Sequence, residues 1–280
     1  MRLLTNNTGY AAKCLCINHQ AHWRYKMKVK FDASGDVIVI TGGANGICRA
    51  LAIASSRAGA SVSILDIDVE KGEALAKAYD GIEFNQVDVS DRDQVFQKIK
   101  DIEQRHGKVD GLVCGAAIQP RLNADETDPA LWQKIMDVNV NGVMWIYQAV
   151  VKGMKERKRG SIIAFSSGLS LTGWPKAAGY ASTKGALNAF VKSVAKEVAE
   201  SRIKFNLIAP GVIDTPQYRA ANEGNDNDHW KGNLGVGGPE DVIGPLMFLL
   251  SDAASMTAGT LSRDFAYPLS PENSIDDFIN

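Results

Sequence analysis

The sequence predicts an α/β fold, in which a single domain is built on a doubly wound parallel sheet with helices on both faces. Short apolar runs rich in Val and Ile alternate with longer segments of helical spacing along the 280 residues. A glycine-rich turn joins the first of these runs to the first helical segment. Because each helical segment carries the chain back to start a strand in the same direction, the alternation predicts parallel strands covered by helices.

The first half of the chain is predicted to contain four strands and three helices. Each strand is a short apolar run, and each helix has apolar residues three or four positions apart. The strands are predicted at residues 36–40, 61–65, 83–87 and 111–114, and the helices at 47–57, 69–79 and 91–106.

The second half continues the same alternation. One long helix is predicted at about residues 129–156, before a strand at 161–165, and the helix that carries Tyr180 is predicted to end near residue 200, before a strand at 203–208. In parallel sheets, ligands bind beyond the carboxyl ends of the strands. The residues that follow predicted strands, and are therefore expected at this edge, are Gly42, Asp66, Asp88, Gly115, Ser167 and Pro210.

The ends of the chain differ from the predicted domain, which spans residues 31–268. Residues 1–30 are basic and contain no acidic residue, a composition that is also found in transit peptides. They have little Ser and no sustained amphipathic period, so we favour a poorly ordered extension, with Met27 as an alternative start. A mobile substrate lid is expected at about residues 214–238, and residues 269–280 are interpreted as a tail.

The composition argues against several classes of function. The formal net charge is -1 and the basic residues are scattered, so no nucleic acid partner is expected. No apolar run approaches the ~20 residues that a membrane-spanning helix needs, so no membrane association is expected. The four cysteines, Cys14, Cys16, Cys48 and Cys114, form neither a disulfide framework nor a set with metal-ligand spacing. We therefore expect a cytoplasmic protein without a metal site.

The glycine-rich turn at residues 41–47 predicts a dinucleotide site. A helix that begins at such a turn offers free backbone N–H groups and a positive dipole end to a pyrophosphate, and Gly46 lets the backbone come close. A turn that merely needs glycine is the alternative interpretation. Asp66 lies twenty residues after Gly46, where its carboxylate can accept hydrogen bonds from ribose hydroxyls and repel a 2′-phosphate. No Arg or Lys stands at residues 43–46 or at Ile67, so NAD(H) is preferred and NADP is disfavoured; for Asp66, a helix N-cap is the alternative.

Tyr180 and Lys184 predict proton chemistry. Residues four apart share one helix face, so both side chains can enter one pocket. A neighbouring ammonium favours the phenolate and moves a tyrosine pKa of about 10 towards working pH. Ser167, thirteen residues before Tyr180, can supply a hydroxyl to the developing alkoxide. The alternatives are a surface helix with an unrelated Tyr and Lys, and a Ser that only caps a turn.

Together, these motifs resemble the short-chain dehydrogenase/reductase family over about residues 36–259. Asn139, Ser167, Tyr180 and Lys184 match its catalytic tetrad. The resemblance implies a Rossmann-type fold and an NAD-dependent oxidoreductase that interconverts a secondary alcohol and a ketone. Tyr180 would be the general acid/base, Lys184 would bind the nicotinamide ribose and lower the pKa of Tyr180, and Ser167 would orient the substrate oxygen. Asn139 would hold a water that connects Lys184 to solvent.

The resemblance also implies the remaining contacts. The cofactor would lie against the glycine turn, the ends of the next three strands and the loop at residues 210–215, which resembles the family's nicotinamide loop. The implied cofactor-binding residues are Gly42, Asn45, Gly46, Ile47, Asp66, Ile67, Asp88, Val89, Cys114, Gly115, Ala116, Tyr180, Lys184, Pro210, Gly211, Ile213 and Thr215. A small alcohol or ketone would contact Ser167, Gln119, Trp174, Tyr180, Tyr218 and Trp230.

Three departures from the family pattern bear on these expectations. Cys48 stands where a glycine is usual, and its side chain either weakens cofactor binding or is accommodated. Cys114 stands where an Asn is usual, so an amide that ties strands together is lost. The usual acidic, glycine-rich ending is absent, although the family implies a homo-oligomer, either a dimer or a tetramer. The competing functions are a catalytically impaired dinucleotide-binding protein and a dehydratase or epimerase on the same fold.

Overall fold

The computed structural model describes residues 29–223 and 236–263. Within these residues, one sheet contains seven parallel strands in the order β3-β2-β1-β4-β5-β6-β7. The strands are β1 Val37–Thr41, β2 Ser61–Asp66, β3 Ile82–Gln86, β4 Gly111–Cys114, β5 Gly160–Phe165, β6 Ile203–Ala209 and β7 Thr260–Ser262. This order is that of a doubly wound Rossmann-type sheet, as predicted.

The helices follow the strands in turn and cover both faces of the sheet. They are α1 Gly46–Arg57, α2 Val69–Ala78, α3 Arg92–His106, α4 Pro129–Met136, α5 Gly142–Arg157, α6 Leu169–Thr172, α7 Ala178–Glu197, α8 Pro216–Ala221 and α9 Ile243–Leu250. Among the described helices, none has the length and apolar character that crossing a membrane requires.

Alternating side chains of the strands divide the core into two apolar layers. Val39 of β1 and Leu112 of β4 belong to the layer that α3, α5 and α7 cover. Their neighbours Ile40 and Val113 belong to the opposite layer, which α1 and α9 cover. Because successive residues of a strand point to opposite faces, continuous apolar runs such as Val37–Thr41 are buried on both sides.

The predicted helical stretch at about residues 129–156 is present and runs from Pro129 to Arg157, but its hydrogen-bonding pattern changes in the middle. A π-helix at Asp137–Asn141 separates α4 from α5. A π-turn carries one more residue than an α-turn, so it changes the direction in which a side chain leaves the helix. The polar residues Asp137, Asn139 and Asn141 lie in this segment, and Asn139 is directed into the protein, where it is buried.

The bounds of strands β1 to β6 agree with the sequence prediction to within one residue. The elements after Ile208 were not predicted. These are α8, a 3-10 turn at Pro239–Val242, α9 and β7. Helix α9 is apolar around most of its surface and buries Ile243, Leu246 and Leu249 against the sheet. It lacks the clear apolar stripe that marks an amphipathic helix in sequence.

The order of the strands places a switch point between β1 and β4, which lie side by side although two strands separate them in sequence. From β1, the chain proceeds first towards β2 and β3, and later on the other side towards β5, β6 and β7. The loops therefore diverge beyond the carboxyl ends of β1 and β4, and a crevice forms there.

Candidate active site

The turn after β1 brings three loops into close contact. Gly42 has φ +70, and a Cβ atom there would lie 2.8 Å from the backbone nitrogen of Ala116. Gly46 has φ +54, and its Cβ would lie 3.1 Å from Cγ2 of Thr215, in the loop after β6. Side chains at these two positions would be strained by the backbone and crowded by their neighbours. The turn therefore closely approaches the loops that follow β4 and β6.

The N-terminus of α1 fits a pyrophosphate. The N-cap, Asn45, forms no side-chain hydrogen bond to the helix, and the first turn contains no acidic residue. By contrast, Asp68 caps α2 and Asp91 caps α3 through their side chains. The first N–H groups of α1 thus have no side-chain acceptor, and these groups, together with the helix dipole, attract an anion.

Asp66 lies at the end of β2 beside this turn. Its Oδ2 accepts a hydrogen bond from the backbone N–H of Ala44 at 3.0 Å, and its Oδ1 accepts one from Asp68 at 3.0 Å. The alternative interpretation of Asp66 as an N-cap is wrong, because Asp68 takes that place and accepts from Lys71. Each carboxylate oxygen can accept more than one hydrogen bond, so Oδ1 and Oδ2 of Asp66 can still accept hydrogen bonds from ribose hydroxyls. Ile67, the next residue, is 67% exposed.

The segments after β3 and β4 complete this side of the crevice. Asp88 is exposed and accepts hydrogen bonds from the N–H and hydroxyl of Ser90, whereas Val89 is buried against the position of Gly142. The hydroxyl of Thr41 accepts from the N–H groups of Gly115 and Ala116, at 3.1 and 3.2 Å. Thr41 was not predicted as a site residue, although it stands between a strand and a glycine turn.

Cys48 is accommodated in the core. It is 5% exposed, and a Cβ at Gly115 would lie only 2.1 Å from its Sγ, so the thiol occupies the space that Gly115 leaves. Burial raises the pKa of Cys48 to about 12, with a further contribution from the charge of Asp66. Burial also raises the pKa of Cys114, which packs in the opposite apolar layer. Both thiols are therefore protonated at neutral pH.

Asn139 connects the loop after β4 to helix α7. Its Oδ1 accepts from the N–H of Ile118 at 2.8 Å, and its Nδ2 donates to the carbonyl of Ile118 at 2.9 Å and to Oγ1 of Thr183 at 3.2 Å. Both amide donors are thus used. The sequence prediction placed Asn139 inside a helix, and the π-helix is what directs it towards Ile118.

Tyr180 and Lys184 share one face of α7, as their spacing predicts. Lys184 is 3% exposed, and its Nζ lies 5.4 Å from the centre of the Tyr180 ring. Nζ donates a hydrogen bond to the carbonyl of Phe165, the last residue of β5, at 2.8 Å. This bond holds α7 over the end of β5, two residues before Ser167.

The environment of these groups shifts their protonation. Burial raises the pKa of Tyr180 to about 12, while the charge of Arg121 and a hydrogen bond with Ser167 act in the opposite direction. Burial lowers the pKa of Lys184 to about 8. Arg121 was not among the predicted site residues. The effect of Lys184 on the pKa of Tyr180 stays a prediction.

A chain of polar side chains supports Ser167. Its Oγ accepts from the N–H of Leu169 at 3.2 Å, and its carbonyl accepts from the hydroxyl of Ser170 at 2.6 Å. Asn188 donates to that same hydroxyl and accepts from the hydroxyl of Ser166. The sequence analysis missed Asn188, although residues 180, 184 and 188 lie four apart on one helix face.

The loop after β6 lies above the same edge. Gly211 has φ +77, Ile213 is 5% exposed in the core, and Thr215 caps α8 by accepting from the N–H of Tyr218. Any contact of Ile213 with a ligand would therefore involve its backbone. The carbonyl of Pro210 accepts from Arg263 at 3.1 Å.

The predicted substrate contacts are only partly within the described structure. Gln119 is half-buried in the loop after β4, and Trp174 is 44% exposed in the segment before α7. Tyr218 is half-buried in α8, which begins the predicted lid. Trp230 and residues 224–235 of that lid lie outside the described residues, as do residues 1–28 and 264–280, which include most of the predicted extension and the tail.

Comparisons with known proteins identify the family of this chain. A family model for short chain dehydrogenases matches residues 36–226. The 2-dehydro-3-deoxy-D-gluconate 5-dehydrogenase of Pseudoalteromonas atlantica is 35% identical over 84% of this chain and 96% of its own length. The 3-oxoacyl-[acyl-carrier-protein] reductase of Thermotoga maritima is 33% identical over 80% of this chain and 94% of its own length.

Solved structures have the same fold. The 3-ketoacyl-(acyl-carrier-protein) reductase from Brucella melitensis, complexed with NADH, matches with a TM-score of 0.77 and 25% identity, over 84% of this chain and 99% of that one. A short-chain type dehydrogenase/reductase from Mycobacterium marinum matches with a TM-score of 0.79 and 27% identity, over 85% and 97%. The chain therefore belongs to the short-chain dehydrogenase/reductase family, and it is an oxidoreductase with the dinucleotide-binding fold of that family.

Proposed function

We propose that this protein is an NAD(H)-dependent oxidoreductase that interconverts a secondary alcohol and a ketone, with Tyr180 as general acid/base. The observation that carries the proposal is the meeting of Tyr180, Lys184 and Ser167 at the carboxyl edge of the sheet. The uncapped N-terminus of α1 lies at that edge too. The dehydrogenases and reductases among the relatives support this class of reaction.

In this mechanism, bound nicotinamide supplies or takes up the hydride. Tyr180 gives its proton to the substrate oxygen during reduction and takes it back during oxidation. The Ser167 hydroxyl donates a hydrogen bond to the same oxygen and orients it. Lys184, held by the carbonyl of Phe165, binds the ribose and favours the tyrosinate with its charge. Asn139 holds the β4 loop against α7, and because its Nδ2 is fully used, another of its atoms must bind the proposed relay water.

The preference for NAD(H) rests on Asp66. A carboxylate beside the cofactor turn attracts ribose hydroxyls and repels a 2′-phosphate. Lys71, in the first turn of the helix after Asp66, is paired with Asp68 at 2.5 Å. The Brucella melitensis relative, which was solved with NADH, is consistent with this choice.

We propose a small alcohol or ketone as the substrate, and the relatives' names do not agree on one particular molecule. They include a sugar-acid dehydrogenase and an acyl-carrier-protein reductase, which act on different molecules. We extend the proposal to a homo-oligomer, either a dimer or a tetramer, that acts in the cytoplasm. Analytical ultracentrifugation of the purified chain tests the assembly.

A titration of the purified protein with NADH and with NADPH tests the cofactor assignment through the fluorescence of the reduced nicotinamide. We expect NADH to bind at least ~10-fold more tightly, which corresponds to about 1.4 kcal/mol. The protein loaded with NADH is then supplied with a panel of ketones, and absorbance at the nicotinamide band is followed. Tight NADH binding without oxidation by any ketone would favour the catalytically impaired protein instead.

A further inference from the structure

The guanidinium of Arg121 is the polar group near the site that its surroundings leave unsatisfied. The residue is half-buried, and its Nε and Nη1 atoms are enclosed without a hydrogen-bond acceptor among the described residues. Those two atoms carry three N–H donors. None of the described acidic residues forms an ion pair with Arg121. Other enclosed cations do have partners: Lys184 donates to Phe165, and Arg263 donates to Pro210.

Hydrogen bonds hold the backbone on both sides of Arg121. Three residues earlier, both backbone groups of Ile118 are bonded to the Asn139 side chain. One residue later, the N–H of Leu122 donates to the carbonyl of Lys176 at 3.1 Å, in the segment that leads into α7. Arg121 therefore starts from a fixed position between the β4 loop and the helix that carries Tyr180. A side chain placed this way can bind a ligand at low entropic cost.

Arg121 also lies within electrostatic reach of the reacting group. Its charge acts on the Tyr180 phenol, and a charge on that phenol acts on Arg121 in return. The pyrophosphate site at the N-terminus of α1 is built by the turn after β1, whereas Arg121 belongs to the loop after β4. An anion that meets Arg121 next to Tyr180 therefore comes with the substrate.

The energetics favour a specific counter-ion. A buried donor without an acceptor destabilises the protein, and more so when the group is charged. A carboxylate suits this cation, because its two oxygens match one edge of the planar guanidinium and form short charge-assisted hydrogen bonds. We propose that Arg121 binds a carboxylate of the substrate, so that the alcohol and ketone are a hydroxy acid and a keto acid. This inference rests on the proposed ketone reduction.

The test uses the full-length protein loaded with NADH and a series of keto acids of increasing chain length, each paired with its methyl ester. We expect the wild-type protein to prefer the best acid over its ester by about 10- to 100-fold in KM, the range for a charge-assisted hydrogen bond. Arg121→Gln should raise the KM for the acid to that for the ester, so that the preference for acids is lost. Arg121→Lys should restore part of the preference.

Lys176→Gln is the matched control, because Lys176 is an exposed cation beside the same loop. It should leave the preference for acids intact. Binding is read separately in the Tyr180→Phe background, where turnover is strongly reduced: the acid should perturb the fluorescence of bound NADH, and the addition of Arg121→Gln should abolish that change.

Three results would overturn the inference. If the wild-type protein uses the esters as well as the acids, Arg121 does not bind a substrate carboxylate. Equal loss of kcat for acid and ester in Arg121→Gln, with an alkaline shift of the pH profile, would make Arg121 a positioning group for the Tyr180 proton. If the wild-type protein prefers a phosphorylated ketone over every keto acid, the group that Arg121 binds is a phosphate and not a carboxylate. A different result would contradict the proposed function itself: no ketone, neutral or anionic, oxidises NADH.

Discussion

The side-chain amide of Asn139 forms a closed pair of hydrogen bonds with the backbone N–H and carbonyl of Ile118. Such pairing is otherwise made by neighbouring strands, and here it joins a π-helix to the loop after β4. The third bond, to Thr183, anchors the same amide to α7 one residue before Lys184. Asn139 is therefore a junction between the loop of Arg121 and the helix of Tyr180.

Replacing Asn139 with Ala should destabilise the protein by about 2–4 kcal/mol, because buried donors and acceptors on Ile118 and Thr183 lose their partners. Chemical denaturation in urea measures the change. Thr183→Val, which removes one of the three bonds together with the bond from the Thr183 hydroxyl to the carbonyl of Tyr180, should still cost less than Asn139→Ala. Equal costs for the two variants would show that the pair with Ile118 contributes little.

Tyr180→Phe should strongly reduce ketone reduction and leave NADH affinity within about twofold of wild type, since only the proton-transferring hydroxyl is removed. General acid–base catalysis typically contributes about 10²- to 10⁴-fold, which sets the expected loss in kcat. Tyr147→Phe is the matched control, because it removes a hydroxyl from an aromatic cluster with Phe190 and Phe205. Turnover retained by Tyr180→Phe would remove Tyr180 from the mechanism.

Asp66→Asn should reduce NADH affinity by about tenfold and narrow its advantage over NADPH. The amide keeps the shape of the side chain but loses the charge that attracts ribose hydroxyls and repels a 2′-phosphate. Asp68→Asn is the control, since Asp68 is a nearby carboxylate engaged by Lys71 and by the N-terminus of α2. Fluorescence titrations of both variants with NADH and NADPH measure these affinities. An unchanged ratio of NADH to NADPH affinity in Asp66→Asn would contradict the assignment of cofactor selectivity to Asp66.

Gly115→Ala should destabilise the protein by about 1–3 kcal/mol through overpacking, because the new methyl group would overlap Sγ of Cys48. Adding Cys48→Ala should recover part of the lost stability. The rest stays lost, because the new methyl group would still lie 2.9 Å from the carbonyl oxygen of Thr41. A double-mutant cycle in urea measures the coupling. Gly244→Ala is the control, since a Cβ there meets no atom within 4 Å.

Cys48→Ala should make stability less sensitive to alkaline pH. Burial raises the pKa of Cys48 from 9.0 to about 12, so between these values the unfolded chain releases a proton that the folded protein keeps. Stability is therefore lost as pH rises through this window, by up to about 1.4 kcal/mol per pH unit for this one group. Ser55→Ala, which alters another buried residue of α1, should leave the slope unchanged. Identical slopes in urea titrations of all three proteins would refute this prediction.

The sequence was sufficient for the fold class and for the edge of the sheet at which the motif residues lie. Apolar runs alternating with helical spacing predicted each strand through β6, because local periodicity reflects which face of an element is buried. Thr41, Asp66 and Phe165 end strands β1, β2 and β5, so chain order alone predicted that the turn, the acid and Ser167 would share one edge. The four-residue interval between Tyr180 and Lys184 predicted one helix face, and the structure confirms it.

Tertiary structure decided what those residues contact. The π-helix that directs Asn139 to Ile118, the carbonyl that holds Lys184 and the space beside Gly115 that admits Cys48 all involve partners distant in sequence. The unsatisfied guanidinium of Arg121 likewise has no local signature. Periodicity in a sequence records which side of an element faces the core, whereas a hydrogen-bond partner, or its absence, depends on how separate elements pack. The sequence by itself therefore determined the reaction class that we propose, and only the packed structure singled out the carboxylate site.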